Sequence, residues 1–245
     1  MSYINQQIMG GGISNAGVLL QASGSVGGKR HVFVGLTGDH DFIYPEIGGY
    51  IVNPFKGKAK TYAGDLAEYD PTTRQIKLLK TYVAAKATTA EDTSILLVRD
   101  GYHHIPFVGD IVMVAPSTLT GKGTAVTVTA VRKETDATAG DVWNLTLSGA
   151  LGVVAKGAVL VEATEVGSNK TSVVTNPNVF FPSDTDFFYN PDDEEAGTDE
   201  FYKARYTINL PLLGHGVKMY EDRMSPMPAT IKALNKSLWK GWFEI

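Results

Sequence analysis

Five histidines, the carboxylates beside two of them, and one dense acidic run are the side chains here best suited to bind metal or move protons. Asp39-His40-Asp41 and Asp100-Gly101-Tyr102-His103-His104 place carboxylates near imidazoles, as a metal site or an acid/base pair requires. His31 and His215 have no such neighbours in sequence. Adjacent residues of an extended strand point to opposite faces, so His103 and His104 cannot easily share one metal if extended. The spacing instead predicts histidines at the surface or hydrogen-bonded beside turns. Asp184, Asp186, Asp192, Asp193, Glu194 and Glu195 offer oxygen donors of the kind calcium takes. They lack the loop spacing and central glycine of an EF-hand, so a solvated acidic loop is expected.

The commoner catalytic frames are missing. No serine stands in a G-x-S-x-G frame, and no G-x-G-x-x-G follows a strand-like run. Gly24-Ser25-Val26-Gly27-Gly28-Lys29-Arg30 has the wrong spacing for a phosphate-binding loop and lacks the hydroxyl that binds magnesium. Ser117 to Gly123 fails for want of the upstream glycine. The chain has no cysteine, which removes thiol nucleophiles, disulfides and thiolate metal sites. A carboxylate pair for glycoside hydrolysis is a spatial arrangement, and no pair stands out in the sequence. The reading therefore assigns no catalytic residue, no metal ligand and no cofactor, and expects a protein that is not an enzyme.

The elements that would carry these side chains are short. Glycine is abundant, with 26 in 245 residues, which favours tight turns over long helices. The apolar runs, such as Ile95-Leu96-Leu97-Val98 and Ile111 to Ala115, are far shorter than the roughly 20 residues a membrane span needs. No signal-peptide pattern opens the chain, and no membrane partner is expected. The formal charge is −4 and unevenly spread: residues 171–200 hold eight acids and no Lys or Arg, whereas residues 201–245 hold seven basic and three acidic groups. Such segments can pair within a chain or between subunits. No dense basic stripe interleaved with aromatics appears, so no nucleic-acid partner is expected.

Four regions follow along the chain. Residues 1–30 read as a flexible Gly-rich arm ending in Lys29-Arg30. Residues 31–80 offer short β runs, at His31 to Val34, Gly48 to Val52 and Gln75 to Leu79, separated by turn signals such as Asp70-Pro71. Residues 81–166 read as a compact β module, a small barrel or sandwich, with strands about ten residues apart. Within it Val126 and Val128 share one face opposite Thr127 and Thr129, and Trp143, Leu145 and Leu147 alternate with Asn144 and Thr146. Residues 167–245 combine the acidic loop, a strand at 205–210, a short helix and an aromatic tail. The helix is expected from Ala229 to Leu238, where Ile231, Leu234 and Leu238 fall on one face after Pro226-Met227-Pro228. The tail Trp239 to Ile245 is apolar enough to dock on its own core or on a partner.

Three phrases carry a family likeness: Ala63-Gly64-Asp65-Leu66-Ala67-Glu68-Tyr69, Val98 to Asp110, and Met224-Ser225-Pro226-Met227-Pro228-Ala229. With Lys232 to Ser237 and Gly241-Trp242-Phe243-Glu244, they resemble the head-fibre or auxiliary capsid (decoration) proteins of tailed gut bacteriophages, including crAss-like phages. The resemblance is scattered over about residues 60–245. It implies a virion structural protein on the outside of an icosahedral head, often a homotrimer, with no catalytic motif to carry over. The expected partners are the major capsid protein lattice, other head-fibre proteins, and host-surface glycans. The expected location is the capsid surface of the virion, after assembly in the host cytoplasm. The contact residues expected on this basis are Lys29, Arg30, Pro226, Met227, Trp239, Trp242 and Phe243. Two other readings stand beside it. One is a glycan-binding module using Trp143, Tyr102 or the aromatic segment 180–189; the other is a polysaccharide-acting enzyme with a carboxylate pair in a groove.

Overall fold

The computed structural model describes residues 33–36, 42–43, 49–56, 60–118, 120–181, 185–186, 207–208, 212–213, 217–220, 224–238 and 243–244. The protein is mainly β, with one short helix near its C-terminus among the described residues. Its backbone divides into two compact units. One comprises residues up to Leu78 with Pro177–Met224 and Leu234–Ile245; the other comprises Leu79–Asn176 with Ser225–Ala233.

The first unit contains β1 (Phe33–Leu36), β2 (Phe42–Ile43), β3 (Gly49–Ile51), β4 (Lys60–Thr61), β5 (Leu66–Asp70) and β6 (Gln75–Leu78). The second contains β7 (Thr81–Val83), β8 (Ser94–Val98), β9 (Ile111–Val114), β10 (Gly123–Asp136), β11 (Gly140–Leu147), β12 (Val159–Glu162) and β13 (Gly167–Lys170). The chain then returns to the first unit with β14 (Val179–Phe180), β15 (Thr185–Asp186), β16 (Thr207–Ile208), β17 (Leu212–Leu213) and β18 (Val217–Tyr220). Helix α1 (Ala229–Leu238) spans the residues its periodicity predicts, and β19 (Phe243–Glu244) follows.

In the first unit, seven strands lie in the order β16-β3-β6-β5-β14-β17-β2. β6 shows why the sequence makes strands: Ile76 and Leu78 are buried while Gln75 and Lys77 are half-exposed, the period-2 pattern of a sheet with one buried face. The turn before it is built by Asp70, whose carboxylate accepts bonds from the Thr72 N–H (2.8 Å) and the Thr73 hydroxyl (2.9 Å). These bonds hold the Asp70 carboxyl below its ordinary pKa. Asn178 fastens two strands by accepting from the Tyr69 N–H and donating to the Tyr69 carbonyl, at 2.8 and 2.9 Å.

In the second unit the strand order is β7-β12-β9-β10-β11-β8, all antiparallel, with β13 added to β10. β10 bends at a register slip between Val128 and Ala130; its first part pairs with β9 and its second with β11. The path does not close into a barrel. Its end strands meet at one bridge, Ala84 to Leu97, beside a bond from the Ala85 N–H to the Leu96 carbonyl at 2.7 Å. Tyr82, Leu97, Val112, Val128, Leu145 and Leu160 are buried in the core between the strands. As expected from the alternation, Val126, Val128, Leu145 and Leu147 point inward and Thr129 and Thr146 outward. At the hairpin tip, Asp136 accepts from the backbone N–H groups of Thr138 and Ala139, and Gly140 takes a positive φ of 75° that favours glycine.

Candidate functional site

The loop from Val98 to Asp110 gathers most of the chemistry that the second unit offers, and it is tied down at three points. Asp100 starts it: one carboxylate oxygen accepts from the Tyr102 N–H (2.7 Å) and the His103 N–H (3.0 Å), and it meets His103 Nδ1 at 2.7 Å. Burial works against the Asp100 anion, but these bonds outweigh it and hold the carboxyl below its usual pKa. Asp110 ends the loop, accepting from the Phe107 N–H at 2.8 Å and the Tyr82 hydroxyl at 3.1 Å. Burial first, and the nearby Asp110 and Glu162 charges second, push the Tyr82 phenol well above its ordinary pKa.

His104 is the middle anchor. It is 2% exposed, and its Nδ1 accepts from the Thr81 N–H on β7 at 3.0 Å. A nitrogen that accepts carries no proton, so this is the neutral tautomer with hydrogen on Nε2. Nε2 lies 3.0 Å from the Ser225 hydroxyl, and therefore donates to it. The distance is one a serine nucleophile keeps to its base, but the tautomer is reversed, because a general base needs a free Nε2 to take the serine proton. The pair is a clasp that joins β7, the loop and the segment leading into α1.

An ion pair links the residue before β7 to the end of β12. Lys80 Nζ meets Glu162 Oε1 at 2.9 Å, with the lysine side chain 3% exposed. Sequence reading missed it, and it missed the Ser225 contact with His104, which spans 121 residues. Nothing local to Lys80 or Ser225 marks either as a partner.

The aromatic candidates separate in the structure. Tyr102 is exposed at 38%, whereas Phe180 and Phe181 are fully buried and unable to stack on a sugar. Trp143 packs against the core and lies under two cations, Arg99 at 5.8 Å and Lys133 at 5.5 Å from the ring centre. Phe187, Phe188 and Tyr189 lie outside the described residues. Of the expected contact residues, Pro226 and Met227 are half-buried in the segment before α1, and Phe243 lies on β19, paired in parallel with Met219. Lys29, Arg30, Trp239 and Trp242 lie outside the described residues, as do the arm 1–30, His31, His40, His215 and most of the acidic run. His103 and His104 lie in a bend rather than an extended strand and diverge, one to Asp100 and one inward.

A groove of about 270 Å³ is lined by Val83, Ala84, Val98, Thr138, Ala139 and Lys156, among others. The Lys86–Asp136 pair, at 2.6 Å, joins the segment after β7 to the hairpin tip and contributes most to lowering the Asp136 pKa. No cluster of metal-ligating side chains occurs among the described residues, and no described helix is long and apolar enough to cross a membrane. Comparison with protein-family models, curated proteins and solved structures returns no match to this chain.

Proposed function

We propose that this chain is a structural subunit of a bacteriophage virion, bound to the outside of the capsid as a head-fibre or decoration protein and assembled as a homotrimer. The observation that carries the reading is the His104 clasp. Two of the three phrases that resemble such proteins, Val98 to Asp110 and Met224 to Ala229, meet through His104 and Ser225 at 3.0 Å. The resemblance thus falls on residues that contact one another in the fold. Attachment is assigned to the arm (residues 1–30) and the tail from Pro226 onward, with the β units as the solvent-facing body. Repetition over a symmetric shell lets each attachment be weak and the whole be firm.

Mass spectrometry of purified particles tests the reading first: peptides from this chain are expected in stoichiometric amounts, and their absence overturns it. Deleting residues 1–25 is then expected to leave a folded body that no longer co-sediments with capsids. A truncated chain that still co-sediments refutes the role given to the arm.

One observation favours a second reading, a glycan-binding role on the same virion. Tyr102 is exposed on a loop held by Asp100 on one side and His104 on the other, a rigid place to present an aromatic ring to sugars. Retention on immobilised host polysaccharide that Tyr102→Ala abolishes supports this role; unchanged retention rejects it.

A further inference from the structure

Among the described residues, the second half of β10 has an open edge. On that side the last pairing is at Val128, whose N–H bonds the Asp110 carbonyl and whose carbonyl accepts from the Gly109 N–H. Beyond it, residues 129–136 pair with β11 on one side and with no described strand on the other.

Alternation identifies which backbone groups face the edge. Arg99 N–H bonds the Asp141 carbonyl and Leu147 N–H bonds the Thr93 carbonyl, so the odd-numbered residues of β11 bond toward β8. The even-numbered ones, Val142, Asn144 and Thr146, therefore bond to β10, where their partners are Glu134, Arg132 and Ala130. Val131, Lys133 and Thr135 are left with their N–H and C=O groups directed at the open side.

We propose that this edge pairs with the same edge of a second copy of this chain, antiparallel about a two-fold axis at Lys133. Registers centred on a residue, and not those centred between two, align the outward N–H and C=O groups of both copies; among them, centring on Arg132 or Glu134 sets each of these charges opposite its own copy. Centring on Lys133 also sets Arg132 opposite Glu134 of the second copy, and Glu134 opposite its Arg132. Both side chains are exposed and on one face, so each two-fold contact gains two matched charge pairs. Val131 falls opposite Thr135. The lysines that meet on the axis are drawn aside, because each ammonium lies over its own Trp143 ring at 5.5 Å. Exposed edges in other proteins are defended by proline or by charge of one sign. Residues 129–136 contain no proline, and Arg132 and Glu134, which meet across the axis, carry opposite charges. The contact is isologous and small, suited to subunits held at high local concentration. It is argued from the edge alone and does not depend on the virion reading.

The absence of cysteine makes the register directly testable with single reporters in the full chain. Hydrogen-bonded antiparallel partners have Cα atoms about 5.5 Å apart, within reach of a disulfide. Residues one step from the axis lie about 8 Å from their own copies, out of reach. Under mild oxidation Lys133→Cys is expected to give a covalent dimer on a non-reducing gel, while Arg132→Cys and Glu134→Cys remain uncross-linked. Adding Val131→Pro removes an edge-facing donor, together with the packing of the Val131 side chain on the core, and is expected to abolish the dimer. Adding Arg132→Glu to Lys133→Cys should do the same, and combining it with Glu134→Arg should restore cross-linking. No dimer from Lys133→Cys, or equal yields at positions 132, 133 and 134, overturns the proposal.

Discussion

Replacing His104 tests whether its clasp is structural. Thr81 is 1% exposed and Ser225 8%, so water cannot readily substitute when the imidazole is lost. In His104→Leu the Thr81 N–H loses an acceptor and the Ser225 hydroxyl loses a donor. Leaving the buried Thr81 N–H unpaired costs about 1–3 kcal/mol and losing one hydrogen bond at Ser225 about 0.5–1.5, so the variant is expected to cost about 1.5–4.5 kcal/mol. His104→Asn places an oxygen near the position of Nδ1 and keeps the Thr81 bond; Ser225→Ala removes the other half. Each of these is expected to cost about 1–2 kcal/mol. The double variant His104→Leu/Ser225→Ala should cost clearly less than the sum, because residues in direct contact couple by about 0.5–3 kcal/mol. Urea unfolding followed by tryptophan fluorescence reads all four. Strict additivity, or a loss below about 0.5 kcal/mol for His104→Leu, refutes the clasp.

Glu162→Gln takes a counter-charge from the buried Lys80 ammonium and is expected to cost up to about 3–5 kcal/mol. The pair Lys80→Met/Glu162→Leu should recover most of that loss in the same urea assay, since an apolar pair replaces a buried ion pair at little net cost. The carboxyls of Asp70, Asp100 and Asp136 are held below their ordinary pKa in the fold. Their stabilisation is complete above about pH 4, the unfolded carboxylate pKa, and is lost as pH falls through the folded values. Thermal unfolding midpoints should drop below pH 4, and Asp136→Asn should flatten that drop; an unchanged acid profile for this variant counts against the Asp136 bonds. Tyr82, raised in the fold, acts at the other end, its contribution falling as pH rises above about 10. Tyr82→Phe should remove that alkaline loss, and an unaltered alkaline limb would speak against burial of the phenol.

Periodicity made the strands and the helix of this protein legible. Ser94–Val98, Ile111–Val114 and Ala229–Leu238 have the bounds their apolar spacing implies. The end of β10 was not legible, because Arg132-Lys133-Glu134 carries no apolar alternation; β11 supplies the ladder that keeps it extended to Asp136. β13 was missed for a similar reason, since Gly167 to Lys170 has no apolar residue and is held to β10 by backbone pairing. The candidate site was legible only in part. The placement of His103 and His104, hydrogen-bonded beside a turn, matches the turn signal of Asp100-Gly101 before them. The contacts His104–Ser225 and Lys80–Glu162 join residues far apart in sequence, and local patterning carries no record of them.

The central claim is that this chain stands on the outside of a phage head. An electron cryo-microscopy map of the intact particle tests it most directly. Density is expected outside the capsid floor into which the β7–β13 unit fits as a body, with attachment to the lattice through residues 1–30 and the tail from Pro226. A particle whose outer density is fully explained by other chains, with this one absent, contradicts it.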